Sequence, residues 1–257
     1  MYDVPDEIVV EADGPIRIVR LNRPDDLNAV NHDLHEGLAG LFPQISLDTD
    51  ARAVVLTGNG RAFSAGGDFN YLQELGDDVA LRRVSIDTGK RLVLNMLQCR
   101  VPVVAAVNGP AVGLGCSLVA LSDVVYMSQK AHLADPHVVV GLVAADGGPI
   151  TWPLHTSLLL AKEFAFTGDR ISAERAHQIG LANHVCAPDE VFDQAMACAR
   201  RIAKLPQYAV EATKRVMNIH MERAVLATID FALGAEFHSF DDADHKAFIA
   251  RTLDAQS

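Results

Sequence analysis

Two rhythms of apolar residues alternate along the chain, short unbroken runs and recurrences at every third or fourth position, and they separate predicted strands from predicted helices. Val103 to Val107, bounded by Pro102 and by Asn108-Gly109-Pro110, predicts a buried central strand. Ala53 to Leu56 and Val124 to Met127 read the same way. Ile8 to Glu11 and Ile16 to Leu21 flank Asp13-Gly14-Pro15 as the arms of a hairpin. Val30, Leu34, Leu38 and Leu41 fall at helical spacing, leaving His32, Asp33, His35 and Glu36 on the other faces. His35 has a pocket or solvent open to it, and a solvated stripe is the expected place of both His32 and His35.

Val79 to Gln98 mixes Leu81, Val84, Leu92 and Met96 with Arg82, Arg83, Lys90 and Arg91, an amphipathic helix whose basic residues are expected in water. Lys130 to Ala145 is irregular and ends in Asp146-Gly147-Gly148-Pro149. Leu158 to Thr167 is helical and stops at Gly168, and Ser172 opens a short helix that Gly180 closes. From Pro188 onwards the pattern is mainly helical, broken at Pro206. Strands alternating with helices, then helices alone, predict an α/β core with a helical ending.

Composition changes this picture little. The 257 residues suffice for a large core, and a net charge of −11 argues against a nucleic-acid surface while leaving a small anionic ligand possible. Cys99, Cys116, Cys186 and Cys198 are too scattered for a zinc or redox motif, so no metal site is expected and a reduced compartment fits best. The acidic start, MYDVPDEIVVEADG, is unlike a signal peptide, and no apolar run reaches membrane-spanning length; a cytoplasmic protein without a membrane or nucleic-acid partner is expected.

Candidate chemistry gathers at two glycine-rich turns. After the central strand, Gly113-Leu114-Gly115 leads into the apolar segment Cys116 to Leu121, giving strand, turn and helix start. There, backbone N–H groups and the helix's unsatisfied donors suit an oxygen acquiring negative charge. A dinucleotide turn would need glycine where Leu118 stands, and a phosphate loop fails because Gly89-Lys90 is followed by Arg91. The second turn, GNGRAFSAGGDF from Gly58, directly follows the run Ala53 to Leu56.

With LNRPDDLNAVN before these two motifs and LTGDRISAERAHQIGLANHV after them, the chain resembles the crotonase superfamily, the enoyl-CoA hydratase/isomerase family. The resemblance runs from about Leu21 to Val185 and more loosely to the C-terminus. It implies the crotonase fold, a spiral of β-β-α units, with residues 1–200 forming the core and acyl-CoA site and residues 201–257 a helical region that builds trimers or hexamers. It further implies an acyl-CoA thioester as substrate, with CoA entering as part of that substrate and no separate cofactor. Two backbone N–H groups hold the thioester oxygen in the family, and by position these are Gly67 and Leu114. Leu27 and Ala29 match the adenine pocket of CoA, and Ala65, Asp68 and Phe69 its neighbouring wall. The C-terminal FDDADHKAFIARTLDAQS departs from the family's usual ending.

The two glutamates of family hydratases are replaced here by Ser117 and His137. A serine does not accept a proton as a carboxylate does, so two-carboxylate hydration is not expected. Asp146 follows His137 in a glycine-rich turn, and an aspartate bonded to one ring nitrogen would free the other for proton transfer. The plainer alternative is a buried, backbone-satisfied histidine with Asp146 capping a helix that begins near Ile150. Ser117 is a weaker candidate, as a nucleophile. Three functions stay open: a hydratase/isomerase-type enzyme using His137, a hydrolase of β-dicarbonyl C–C bonds or thioesters using a His137–Asp146 pair, and an acyl-CoA binder without turnover.

Overall fold

Side chains alternate across a strand, so a fully apolar strand can serve two cores at once. The computed structural model describes residues 2–255. Its elements are β1 (Ile8–Asp13), β2 (Ile16–Leu21), α1 (His32–Leu47), β3 (Ala53–Gly58), α2 (Phe69–Asp77), α3 (Val79–Gln98), β4 (Val103–Val107), β5 (Ala111–Val112) and α4 (Leu114–Ala120). There follow β6 (Val124–Ser128), β7 (His132–Ala134), α5 (Gly148–His155), α6 (Leu158–Thr167), β8 (Ile171–Ser172), α7 (Ala173–Gln178), β9 (His184–Cys186), α8 (Val191–Ala203), α9 (Gln207–Ser239) and α10 (Ala243–Asp254).

The main sheet has six strands in the order β1-β2-β3-β4-β6-β9, parallel except for the β1–β2 hairpin, and a second sheet pairs β5, β7 and β8. Along β4, Val103, Ala105 and Val107 enter the large core beneath α1 and α3, while Val104 and Ala106 enter a smaller core under α8. Register carries this through the sheet, with Val54 opposite Val103 and Val104 opposite Val124. The expected strands are all present, β2 and β4 with the expected bounds and β1, β3 and β6 one or two residues longer, and β5, β7, β8 and β9 are additional, each only two or three residues long.

One expectation fails outright. Arg82 is fully buried: its guanidinium donates to the carbonyls of Leu75 (2.8 Å), Gly76 (3.0 Å) and Phe237 (3.1 Å) and pairs with Asp241. Helical pattern gave it a solvated face, but the long fork can bury itself where backbone carbonyls at helix ends need donors. It thereby fastens the end of α2 to the end of α9. Lower on α9, Lys214 donates to Val101 O (2.9 Å) and pairs with Asp123 (2.7 Å), anchoring that helix to the sheet. These contacts fasten the helical ending to α2 and to the sheet.

Candidate active site

The two glycine turns are zipped together by backbone bonds. Ser64 N donates to Pro110 O (3.1 Å) and Val112 N to Ser64 O (2.9 Å), while Val30 N donates to Gly66 O (2.7 Å) and Asp68 N to Val30 O (3.0 Å). Gly66 and Gly113 have φ of +90° and +52°, backbone that side chains rarely tolerate, and a Cβ on Gly113 would lie 3.5 Å from Gly66 Cα. The turns thus approach each other where only glycine fits. Gly67 and Leu114, the two expected donors, both line the cavity between them. Their N–H groups find no backbone acceptor among the described residues, Leu114 because it opens α4.

His137 stands beside this pair, its Cε1 3.9 Å from where a Gly113 Cβ would be. Its partner is Asp135 and not Asp146: His137 Nδ1 makes a short bond to Asp135 Oδ1, and that aspartate is wholly buried. The reason is local. Asp135 and His137 stand only two residues apart, whereas Asp146 is engaged elsewhere, accepting from Ser117 Oγ at 2.8 Å. Gly147, not Asp146, caps α5, which starts at Gly148 rather than near Ile150. Ser117 is fully buried with its hydroxyl committed to Asp146, an arrangement for holding a carboxylate rather than for attack.

Opposite them Glu236, from α9, lines the same cavity and makes no side-chain hydrogen bond among the described residues. It lies in line with the buried stripe Val225, Ile229, Leu233 and Phe240, and a carboxylate within an apolar helical stripe was the signal that could have found it. Burial pushes its pKa up to about 8, the nearby Asp146 charge adds to this, and His137 opposes it. Asp146 is raised as well, by burial and by the Asp135 charge, with the His137 charge and the Ser117 hydrogen bond pulling against them. For His137, burial pulls the pKa down, and the Asp135 charge and hydrogen bond, with Asp146 and Glu236, overcome it and lift the value to about 10. The imidazolium is the resting form at neutral pH.

The expected CoA-side residues divide. Ala65 and Phe69 line the cavity. Leu27, Ala29 and Asp68 form the frame behind it: Leu27 O accepts from Ala65 N, Ala29 O from Arg23, and Asp68 caps α2 and pairs with Arg23 at 3.1 Å. His35 is the other surprise, buried to 9 % exposure against the cavity rather than in a solvated stripe. The rest of that end of the cavity is mostly apolar, built from Leu75, Ile86, Leu142 and Phe240 among others. Among the described residues no cluster of His, Cys, Asp or Glu has a metal-binding arrangement, and no helix is long and apolar enough to cross a membrane.

The two glycine turns bring Gly67 and Leu114 onto one cavity, and comparison with known proteins identifies the family. The enoyl-CoA hydratase/isomerase family profile matches residues 11–253, and the chain belongs to this family and has the crotonase fold. A crystal structure of an enoyl-CoA hydratase/isomerase from Mycobacterium paratuberculosis is 64% identical, with a TM-score of 0.96 over 97% of this chain and 100% of that one. The short-chain-enoyl-CoA hydratase of Clostridium acetobutylicum is 31% identical over 91% of this chain and 88% of its own. The human Delta(3,5)-Delta(2,4)-dienoyl-CoA isomerase, mitochondrial, is 34% identical over 87% of this chain and 71% of its own. The chain is accordingly a family enzyme of the lyase or isomerase kind acting on an acyl-CoA.

Proposed function

We propose that this enzyme shifts a carbon–carbon double bond in an unsaturated acyl-CoA, with Asp146 as base, Glu236 as acid, and Gly67 and Leu114 N–H holding the enolate oxygen. The observation that carries this is that Asp146 and Glu236 line one cavity together with Gly67 and Leu114, and that burial raises the pKa of both, Glu236 to about 8, so that a carboxyl group able to donate a proton stands there near neutral pH. In a 3-enoyl thioester the C2–H bond breaks toward Asp146 and its electrons pass into the thioester carbonyl as an enolate; they then return to form C2=C3 as C3=C4 opens and C4 takes the proton of Glu236. Exchange with solvent returns Asp146 and Glu236 to their starting states. The His137 imidazolium, beside the amide pair, supplies positive charge to the enolate; one amide donor alone is typically worth ~2.7–4 kcal/mol in the transition state.

Hydration is less well served, because the position of one family glutamate is Ser117, buried and bonded to Asp146. Hydrolysis of a β-dicarbonyl is favoured by the His137–Asp135 pair, but a base of that kind must be neutral, and His137 holds its proton to about 10. Incubation of 3-hexenoyl-CoA in D2O with mass spectrometry separates the readings. Isomerisation gives 2-hexenoyl-CoA carrying deuterium at C4; a product heavier by one water, or a cleaved chain, overturns the proposal. CoA itself is proposed to run past Ala65 and Phe69 toward Leu27, Ala29 and Asp68. The C-terminal region is proposed to build a trimer or hexamer as well, supported by Tyr208 and Phe231, 85% and 84% exposed on α9. A monomeric mass by light scattering removes that part.

A further inference from the structure

The cavity continues past the reacting end to a wall where α1, α3 and α9 meet, and there one polar atom stands out. His35 Nε2 is buried, faces the cavity and meets no hydrogen-bond partner among the described residues. Such an atom costs free energy unless something satisfies it. Its immediate neighbourhood has been left open: Gly89 on α3 carries no side chain, and a Cβ there would sit 3.9 Å from Nε2 and 4.0 Å from Leu233 Cδ2. Ser85, one turn earlier on the same helix, is buried on the same cavity, and nearby the Tyr71 hydroxyl lies 3.5 Å from His32 Nδ1.

We infer that His35 Nε2 is a specificity handle for a neutral oxygen, a hydroxyl or a ketone, carried on the far part of the acyl chain. This rests on the acyl-CoA reading above. A charged group is disfavoured, since burial holds His35 neutral, with its pKa near 4, and the adjacent Glu36 is already taken up by Arg91 at 2.8 Å and by Thr88. Neutral imidazole offers a donor or an acceptor at Nε2 according to its tautomer, so a hydroxyl can satisfy either form. An all-carbon chain would fill the space and leave the nitrogen unpaired.

The test compares saturated acyl-CoAs of four, six and eight carbons with their ω-hydroxy counterparts by calorimetry. At the length that reaches His35, the hydroxy ester should bind more tightly than its alkyl partner by roughly two- to tenfold, the ratio of one net hydrogen bond. His35→Leu should reverse that preference. Gly89→Ala suits the helix and guards against misfolding of the first variant; by crowding Nε2 it should lose the preference while retaining alkyl-CoA binding. Equal or weaker binding of every hydroxy ester by the wild type, or an unchanged ratio in both variants, overturns the handle alone. Binding of neither series at millimolar ligand overturns the acyl-CoA reading and the handle with it.

Discussion

The site has two halves that were built in different ways. The amide half, proposed to hold the enolate, comes from two short turns, each following its own strand, and there main chain would carry the chemistry, so Leu114 would serve as well as any residue. The proton half comes from side chains at 135, 137, 146 and 236, drawn from an irregular loop and from the far end of a 33-residue helix. Backbone chemistry needs only local geometry. Side-chain chemistry needs distant segments to arrive together, and it is also the half in which one residue can change the reaction while the oxyanion site stays as it was.

The largest effect should fall on the second half. Asp146→Asn removes the base while an amide can still accept from Ser117, and turnover should drop by about 10²–10⁴-fold, the usual range for a positioned proton acceptor. Affinity for a saturated acyl-CoA should stay within a few-fold, and the His137 pKa, followed by NMR, should fall because a nearby negative charge is gone. A variant that keeps full activity removes Asp146 from the mechanism.

Damage to the amide half should be somewhat smaller and differently shaped. Gly113→Val forces a branched side chain into φ +52° and toward Gly66 and His137, displacing the Leu114 donor. A loss of about 10²–10³-fold in kcat, the cost of one oxyanion donor, is expected. Unlike Asp146→Asn, the variant should leave the positions of both pH limbs unchanged. If the limbs move while kcat holds, the two halves are not separable as described.

Glu236→Gln should act least on rate, roughly 10²-fold, the lower end for a general acid, since solvent can supply the proton instead. Its signature is in pH. The native enzyme needs Glu236 protonated, so activity should fall as pH rises through about 8, and the variant should lose that limb. Stability gives an independent reading. Between the unfolded value near 4.5 and the folded value of about 8 the native state binds the extra proton, so stability declines with rising pH across that window. Denaturant titrations of Glu236→Gln should lack this decline. His137 behaves in the complementary range, its contribution complete below 6.5 and fading as pH climbs toward about 10.

Much of the fold was legible because its signals are local. The VVAAV run is β4 to the residue, Leu158 to Thr167 is α6, and the two glycine motifs lie together on one cavity, as their place in the family implied. His137 was legible by its position in the family, but its partner was not: Asp135 and Asp146 are both at plausible separations, and only the course of the loop decides between them. Arg82, His35 and Glu236 were hidden for one reason. Each is a polar residue on a helix whose outer stripe is covered by a third element far away in sequence, and periodicity reports which residues share a face, not what lies over it.

That covering has a mechanical result, seen best at Arg82. One guanidinium holds the carbonyls of Leu75 and Gly76 and, 155 positions away in sequence, that of Phe237. The α2–α3 corner and the end of α9, both of which contribute residues to the cavity wall, are thereby fastened to each other. With the acyl chain between these walls as proposed, an oversized chain would have to strain a buried, charge-assisted clasp before the walls part, and length discrimination is then expected to be abrupt rather than graded.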